Sequence, residues 1–254
     1  MLYENEKLEN ESLYEIFTVN NLSWPLHLHN YYECICVNSG NIEIILDNSR
    51  IKLTAGGTIF IFPNQLHELY TPVSSQITIL QFASEMIEYF STQYQGKIPM
   101  NPILESFSIT IKSHKTDNIF FQKSFLYQIC GFLSEHTEFT EYNLSNFCEN
   151  AILEIIQYIE HNYKDDCTLS KIAYKFGYDY AYISRKFKHK MGISFKKYLN
   201  LLRINQACIY LNNTDLSVTD IALQCGFQSI RSFNRNFIST KKITPNEYRH
   251  HIHH

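Results

Sequence analysis

Residues 168–178 read TLSKIAYKFGY and residues 217–227 read SVTDIALQCGF. The pattern they share decides what half of this chain folds into. Leu169/Val218, Ile172/Ile221, Ala173/Ala222, Gly177/Gly226 and Tyr178/Phe227 recur at a spacing of 49, which becomes 50 for Phe187/Phe237 and Tyr198/Tyr248. One extra residue in the second copy fits a turn or a helix start of different length. Each copy reads as a helix, a tight turn and a second helix. Thr168 and Ser217 are N-cap residues, and Gly177 and Gly226 stand where the chain must turn through a conformation that a Cβ disfavours. Ala173 and Ala222 are small enough for another helix to cross closely.

The second helix of each copy turns apolar residues inward, Ile183 and Phe187 or Phe233 and Phe237. Its outward residues are polar or basic: Ser184, Arg185, Lys186 and Lys188 in the first copy, Arg231, Asn234 and Arg235 in the second. Such a helix fits the major groove of duplex DNA and presents Arg and Asn to base edges. An all-helical scaffold with the same Ala-x3-Gly packing is the bland alternative; two basic copies in register favour DNA. Between them, FKKYLNLLRINQACIYL (195–211) reads as one helix of roughly 24 Å. That length favours entry into successive major grooves, about 34 Å apart, by a single chain.

Charge follows the same division. Of the 254 residues, 1–144 carry 7 Lys+Arg against 16 Asp+Glu, a net of −9; 145–254 carry 15 against 9, a net of +6. A basic half beside an acidic one marks a nucleic-acid-binding part joined to a part with another task. The composition, 44% hydrophobic and 19% charged, is that of a globular protein. No apolar run is long enough to span a membrane, and the start MLYENEKLENESLYE lacks the basic and apolar regions of a signal peptide. The expected location is the cytoplasm. Seven cysteines, an odd number without a CxxC pair, agree with reduced thiols.

Residues 15–82 have the period of strands. NIEIILDNSRIKL (41–53) is two strands around a polar break at Asp47-Asn48-Ser49, and GGTIFIFP and QITILQF are further short strands. Their spacing suggests a small barrel or sandwich. Beyond residue 84 the period is helical. Phe121, Phe125, Ile129 and Phe132 share one face of a helix near 118–136, which packs on the barrel or serves a homodimer.

YLNLLRINQACIYLNNTDLSVTDIALQCGFQSIRSFNRNF followed by TPNEYR resembles the C-terminal region of AraC/XylS-type transcriptional regulators, over about residues 146–249. The resemblance implies base-facing positions at Ala181, Ser184 and Arg185 in the first unit, and at Ile230, Arg231, Asn234 and Arg235 in the second. Ala181 and Ile230 offer only apolar contacts, such as to a thymine methyl. Lys188 is a further DNA-facing cation and Lys196 a phosphate contact. Two departures stand out: Lys242 replaces the usual turn glycine, and Phe195 stands where the second copy has Pro245. Arg203 is expected in a structural ion pair, with Asp220 as partner.

HLHNYYE (27–33) belongs to the β half. His27-x-His29-x3-Glu33-x6-Gly40 is similar to the first cupin motif, and Gly56, Pro63 and His67 resemble part of the second, with Asn64, Phe62 and Thr71 departing from it. This resemblance implies a cupin-like barrel. Its four metal-binding positions would be His27, His29, Glu33 and His67, a set that suits Fe, Mn, Ni or Zn. The alternative is that these residues bind an effector or fix the barrel mouth without metal. Trp24 is either a stacking surface for a ligand such as a sugar ring or a core anchor. The terminal HHIHH (250–254) is read as a tail without function.

The expected fold class is α+β: a cupin-like effector barrel (1–100), a helical connector with a dimerisation role (101–144), and a DNA-binding domain of two helix-turn-helix units (145–254). The expected function is sequence-specific transcriptional regulation, as an activator, under a small molecule bound at Trp24, His27, His29, Glu33 and His67. It is not expected to be an enzyme, and no cofactor is expected. Partners would be double-stranded DNA, the effector (a sugar being one candidate), RNA polymerase and a second copy of the chain. The rival readings are a metal-dependent cupin enzyme fused to a DNA-binding domain, and a constitutive regulator whose barrel only dimerises.

Overall fold

The computed structural model describes residues 13–104, 115–143 and 150–253. The described residues form antiparallel sheets followed by helices, an α+β chain. The expected junction near 145, Cys148 and the side chains of the last four residues lie outside the described part. By compactness the chain divides into two bodies: Met1–Asn21, Leu28–Leu66 and Tyr70–Phe147 in the first; Leu22–His27, His67–Leu69 and Cys148–His254 in the second.

In the first body, β1 (Tyr14–Asn20), β8 (Gln76–Phe82), β3 (Tyr32–Ser39) and β6 (Thr58–Ile61) form one antiparallel sheet in that order. The alternation in NIEIIL produces β4 (Asn41–Leu46), which buries Ile42, Ile44 and Leu46 and pairs with β5 (Ser49–Thr54). Asp47 makes the reversal at φ 56°, a conformation that Asp tolerates better than most residues. At Gly40 (φ 75°) a Cβ would lie 2.3 Å from Ser75 Oγ and 2.4 Å from Ser74 O, so only glycine fits.

After α1 (Glu88–Gln93) and the short antiparallel pair β9 (Lys97–Pro99) and β10 (Phe139–Glu141), the long helix α2 (Ile119–His136) lies where the periodicity placed it. Asn118 caps it, accepting from the Phe120 and Phe121 amides. The buried stripe is rotated from the expected one. Phe125, Leu126, Ile129, Cys130 and Leu133 share a core with Cys34, Phe60, Leu80 and Phe82, whereas Phe121 is 68% exposed.

The second body holds β2 (Ser23–His27) beside residues 67–69 of β7 (His67–Tyr70), and the helices α3 (Asn150–Asn162), α4 (Leu169–Phe176), α5 (Tyr180–Met191), α6 (Phe195–Asn213), α7 (Val218–Gln224), α8 (Ile230–Lys241) and α9 (Pro245–His253). Each repeat copy is a capped helix-turn-helix. Thr168 Oγ1 accepts from Lys171 N at 3.3 Å and Ser217 Oγ from Asp220 N at 3.1 Å. Gly177 and Gly226 take φ 72° and 81°. Asp179 and Ser229 cap the second helices. The extra residue of the second copy is in the turn: two positions separate Gly177 from the cap Asp179, three separate Gly226 from Ser229. From there the spacing of 50 holds, through the left-handed C-caps Gly192 and Lys242.

Helix α6 is the spine of this body. It buries Leu202, Ala207, Cys208 and Leu211, and Asn200 Nδ2 donates to Asn236 Oδ1 of α8 at 3.0 Å. It also carries β2. The fully buried Tyr198 hydroxyl donates to Leu26 O at 2.7 Å, and Asn205 Nδ2 donates to Ser23 O at 2.6 Å.

Arg203 is structural, with partners other than the expected Asp220. Its Nε donates to Tyr163 O at 2.7 Å and its terminal nitrogen to Asp165 O at 2.9 Å, so it closes the carbonyl end after α3. Asp220 is engaged locally, accepting from Ser217 Oγ at 2.5 Å.

Candidate nucleic-acid interface and ligand-binding residues

The second helices α5 and α8 bury one stripe each, Ile183 and Phe187 or Phe233 and Phe237. The caps Asp179 and Ser229 satisfy amides of the first turn, so each helix starts cleanly at the surface. Its N-terminal residues are the ones that reach base edges in this motif. On α5, Ala181, Arg185 and Lys188 are exposed and Ser184 half-buried; on α8, Ile230, Arg231 and Arg235 are exposed. Lys196, in the first turn of α6, is exposed as well.

Asn234 differs from its neighbours. It is half-buried, and its Oδ1 is shielded from solvent without a hydrogen-bond partner among the described residues. One end of the amide therefore faces inward. A bidentate grip on adenine, which needs both ends, requires this side chain to rotate.

Two large side chains near this face were not among the expected residues: Tyr180, 54% exposed, and Tyr182, 44% exposed. Tyr182 is occupied by its own helix, with Lys186 Nζ 4.9 Å from its ring centroid. The spacing of 50 was the available signal for Tyr180, because it pairs that residue with Ile230.

The HLHNYYE residues fall into two groups, one in each body. In the first, His29 Nδ1 lies 2.9 Å from Tyr31 O and the ring stacks on Tyr31 at 3.9 Å. A carbonyl only accepts, so Nδ1 carries the proton and Nε2 is the acceptor in the neutral ring. Glu33 accepts from Gln81 Nε2 at 2.8 Å, and its other oxygen lies 3.8 Å from His29 Nε2. Nε2 and Oε2 are thus two acceptors side by side, forming an ion pair only when the imidazole is protonated. In the second body, His27 Nδ1 donates to Pro25 O at 2.9 Å. Its ring is 4.0 Å from that of His67 and 5.3 Å from that of Trp24, stacked on the latter. Trp24 Nε1 is shielded with no partner among the described residues.

A cavity of about 540 Å³ lies elsewhere in the first body, lined by Tyr32, Phe62, Asn64, Tyr94, Lys97 and Tyr142 among others. None of the five expected effector residues lines it. Tyr142 braces its edge, its hydroxyl donating to Asp47 Oδ1 at 2.6 Å.

Fold and interface together define a class: a β half followed by two helix-turn-helix units on a shared spine. Residues 172–251 match the family described as a helix-turn-helix domain, and two units in this order are similar to the DNA-binding part of AraC/XylS-type regulators. An HTH-type transcriptional regulator of Staphylococcus aureus (strain MSSA476) is 36% identical over 107 residues, 42% of this chain and 14% of that protein. Another from Staphylococcus aureus is 26% identical over 252 residues, 96% of this chain and 33% of the relative. YtdP of Bacillus subtilis (strain 168), also an HTH-type transcriptional regulator, is 27% identical over 180 residues, 70% of this chain and 22% of its own length. The chain therefore spans a third or less of the length of these relatives. Over nearly its whole length the fold is that of ToxT from Vibrio cholerae. The crystal structure of ToxT with an unsaturated fatty acid bound superposes with a TM-score of 0.55 at 16% identity, covering 94% of this chain and 95% of ToxT.

Proposed function

We propose that this chain is a sequence-specific DNA-binding transcriptional regulator, acting as an activator in the cytoplasm under control of a small molecule. The carrying observation is the pair of capped helix-turn-helix units whose exposed faces bear Arg185 and Lys188 on one and Arg231 and Arg235 on the other. In this reading Ala181, Ser184, Arg185, Ile230, Arg231, Asn234 and Arg235 contact bases, and Lys188 and Lys196 contact phosphates. RNA polymerase is the partner that turns occupancy into transcription, and a second copy of the chain joins through the β half.

The effector contacts are Trp24, His27, His29, Glu33 and His67. The adjacent acceptors of His29 and Glu33 suit a ligand rich in hydroxyl donors, and the Trp24 ring suits a sugar face. The fatty-acid-bound state of ToxT supports small-molecule control in this fold. Because β2, which bears Trp24 and His27, hangs on the spine helix α6, a ligand that favours one placement of β2 shifts the population of DNA-binding states.

The test is selection of duplexes from a random pool by the full chain, followed by titration of variants. Arg185→Ala and Arg235→Ala each lower affinity by about 1–3 kcal/mol and relax preference at one position. Uniform loss on unrelated sequences would refute base reading. A sugar-library screen with His29→Ala and Lys97→Ala then locates the effector. A response lost only in Lys97→Ala moves the site to the 540 Å³ cavity.

A second reading is favoured by the imidazole tautomers. Both His27 and His29 donate through Nδ1 to a carbonyl, which turns Nε2 into the metal-ligating atom. His27 with His67 in one body, and His29 with Glu33 in the other, would each offer ligands to a divalent first-row ion, which would supply Lewis-acid polarisation of a bound oxygen. Elemental analysis of the purified chain beside the His27→Ala/His29→Ala variant decides it, through stoichiometric metal lost in the variant or none in either.

A further inference from the structure

We infer that Tyr180 is a specificity-determining residue of the first helix-turn-helix unit, reading a base pair that no other residue on α5 reaches. The inference rests on the DNA-binding function proposed above and adds a contact to it.

Tyr180 is the first residue of α5, directly after the cap Asp179. In a recognition helix the N-terminal residues approach base edges. Tyr180 lies one turn before Ser184, so the two share a strip of the helix surface, beside the strip of Ala181, Arg185 and Lys188. The internal repeat supplies an independent placement. From the caps onward the units superpose at a spacing of 50, Asp179 on Ser229 and Gly192 on Lys242. Tyr180 then coincides with Ile230, the first residue of α8, which is 39% exposed. Both units thus place a large side chain, 54% exposed in the first and 39% in the second, at the same position in the repeat, with Arg185 five residues on in the first and Arg231 next to it in the second.

As a residue Tyr180 is 54% exposed, so apolar area on its side chain is open to a partner that would remove it from water. Tyr182 obtains cover from Lys186; among the described residues no ring contact or cation–π contact places a neighbour on Tyr180. Duplex DNA supplies one. The ring can pack on a thymine methyl, as Ile230 would in the other unit, and the hydroxyl can donate to O6 or N7 of guanine, N7 of adenine or O4 of thymine. Tyrosine here and isoleucine there make the two half-sites chemically different. A chain with pseudo-repeated units thereby gains a preferred orientation on its operator.

The test uses the full chain and the duplex it selects from a random pool. Tyr180→Ala and Tyr180→Phe are titrated against every single-base variant of that duplex. The expected result is that Tyr180→Ala flattens the preference at one base pair in the first unit's half-site by about 5- to 100-fold, corresponding to about 1–3 kcal/mol, and leaves the other half-site unchanged. Tyr180→Phe retains any thymine preference and loses a hydrogen-bonded one. Equal weakening on all sequences with a shallower salt dependence would make Tyr180 a phosphate contact and overturn the assignment; no change in either variant would overturn it too. Failure of the wild-type chain to select any duplex refutes the DNA-binding reading itself and removes the assignment with it. Tyr180 is exposed, so unchanged thermal unfolding of the variants is the control.

Discussion

Lys242 ends α8 at φ 67° and ψ 0°, the left-handed conformation that its counterpart Gly192 adopts at φ 70°. A residue with a Cβ is strained there by roughly 1–2 kcal/mol relative to glycine, and among the described residues its side chain gains an exposed bond from Nζ to Ser239 O at 2.9 Å. Lys242→Gly should therefore stabilise the fold by about 0.5–1 kcal/mol after the added freedom of the unfolded chain is subtracted; the urea midpoint of unfolding measures it. The buried thiols set the alkaline limit. Burial pushes Cys130 from 9.0 up to about 12, and burial raises Cys167 to about 11 against the lowering influence of Arg203. Folding holds these protons after the unfolded chain has released them. Stability is thus complete below pH 9 and falls as pH rises toward 11, by about 1.4 kcal/mol per pH unit for each thiol. Urea midpoints should hold up to about pH 9 and decline from there to about pH 10.5, and a flat profile would contradict the burial of these groups.

At the scale of elements, much was legible because local chemistry writes itself into short stretches. Thr168, Ser217, Gly177 and Gly226 marked the caps and turns of both repeats, and the alternation in NIEIILDNSRIKL marked the β4–β5 hairpin with its turn. What was not legible required knowing which element lies opposite. The buried stripe on α2 is turned by roughly a fifth of a turn from the expected one, at about 3.6 residues per turn, because Phe121 fits the period yet stays exposed while Leu126, Cys130 and Leu133 are buried. Arg203 was paired by charge with Asp220, whereas backbone carbonyls of Tyr163 and Asp165 bind it; carbonyls carry no sequence signature. Nor did anything in SWPLH (23–27) reveal that β2 is carried on α6. That attachment makes a prediction. Tyr198→Phe keeps the packing but removes the donor to Leu26 O in a half-buried place, which costs about 1 kcal/mol. Affinity for the selected duplex should change little, since the recognition helices are untouched. The change in affinity on adding effector should shrink. Retention of the full effector response would show that β2 does not transmit it.

At the scale of the whole molecule, the question is whether two reading units in one chain act as a rigid ruler or as a tethered pair. A flexible tether would raise the local concentration of the second unit and tolerate changes in half-site spacing. The structure supports a ruler. Helix α6 spans Phe195–Asn213, roughly 28 Å at 1.5 Å per residue. It is capped by Ser194, held to α8 through Asn200 and Asn236, and braced by Arg203 at the end of α3. No glycine or proline interrupts it. The two recognition helices are therefore held at a fixed separation. Each inserted base pair moves one half-site by about 3.4 Å and rotates it by a tenth of a turn, since a full turn takes about 10–10.5 base pairs and 34–36 Å. One base pair added between the half-sites of the selected duplex should weaken binding about tenfold. Five should reduce it to the level of a single half-site, and ten should not restore it, because the phase returns but the distance does not. Recovery at ten base pairs would mean that α6 opens, and the repeats would then bind as independent modules.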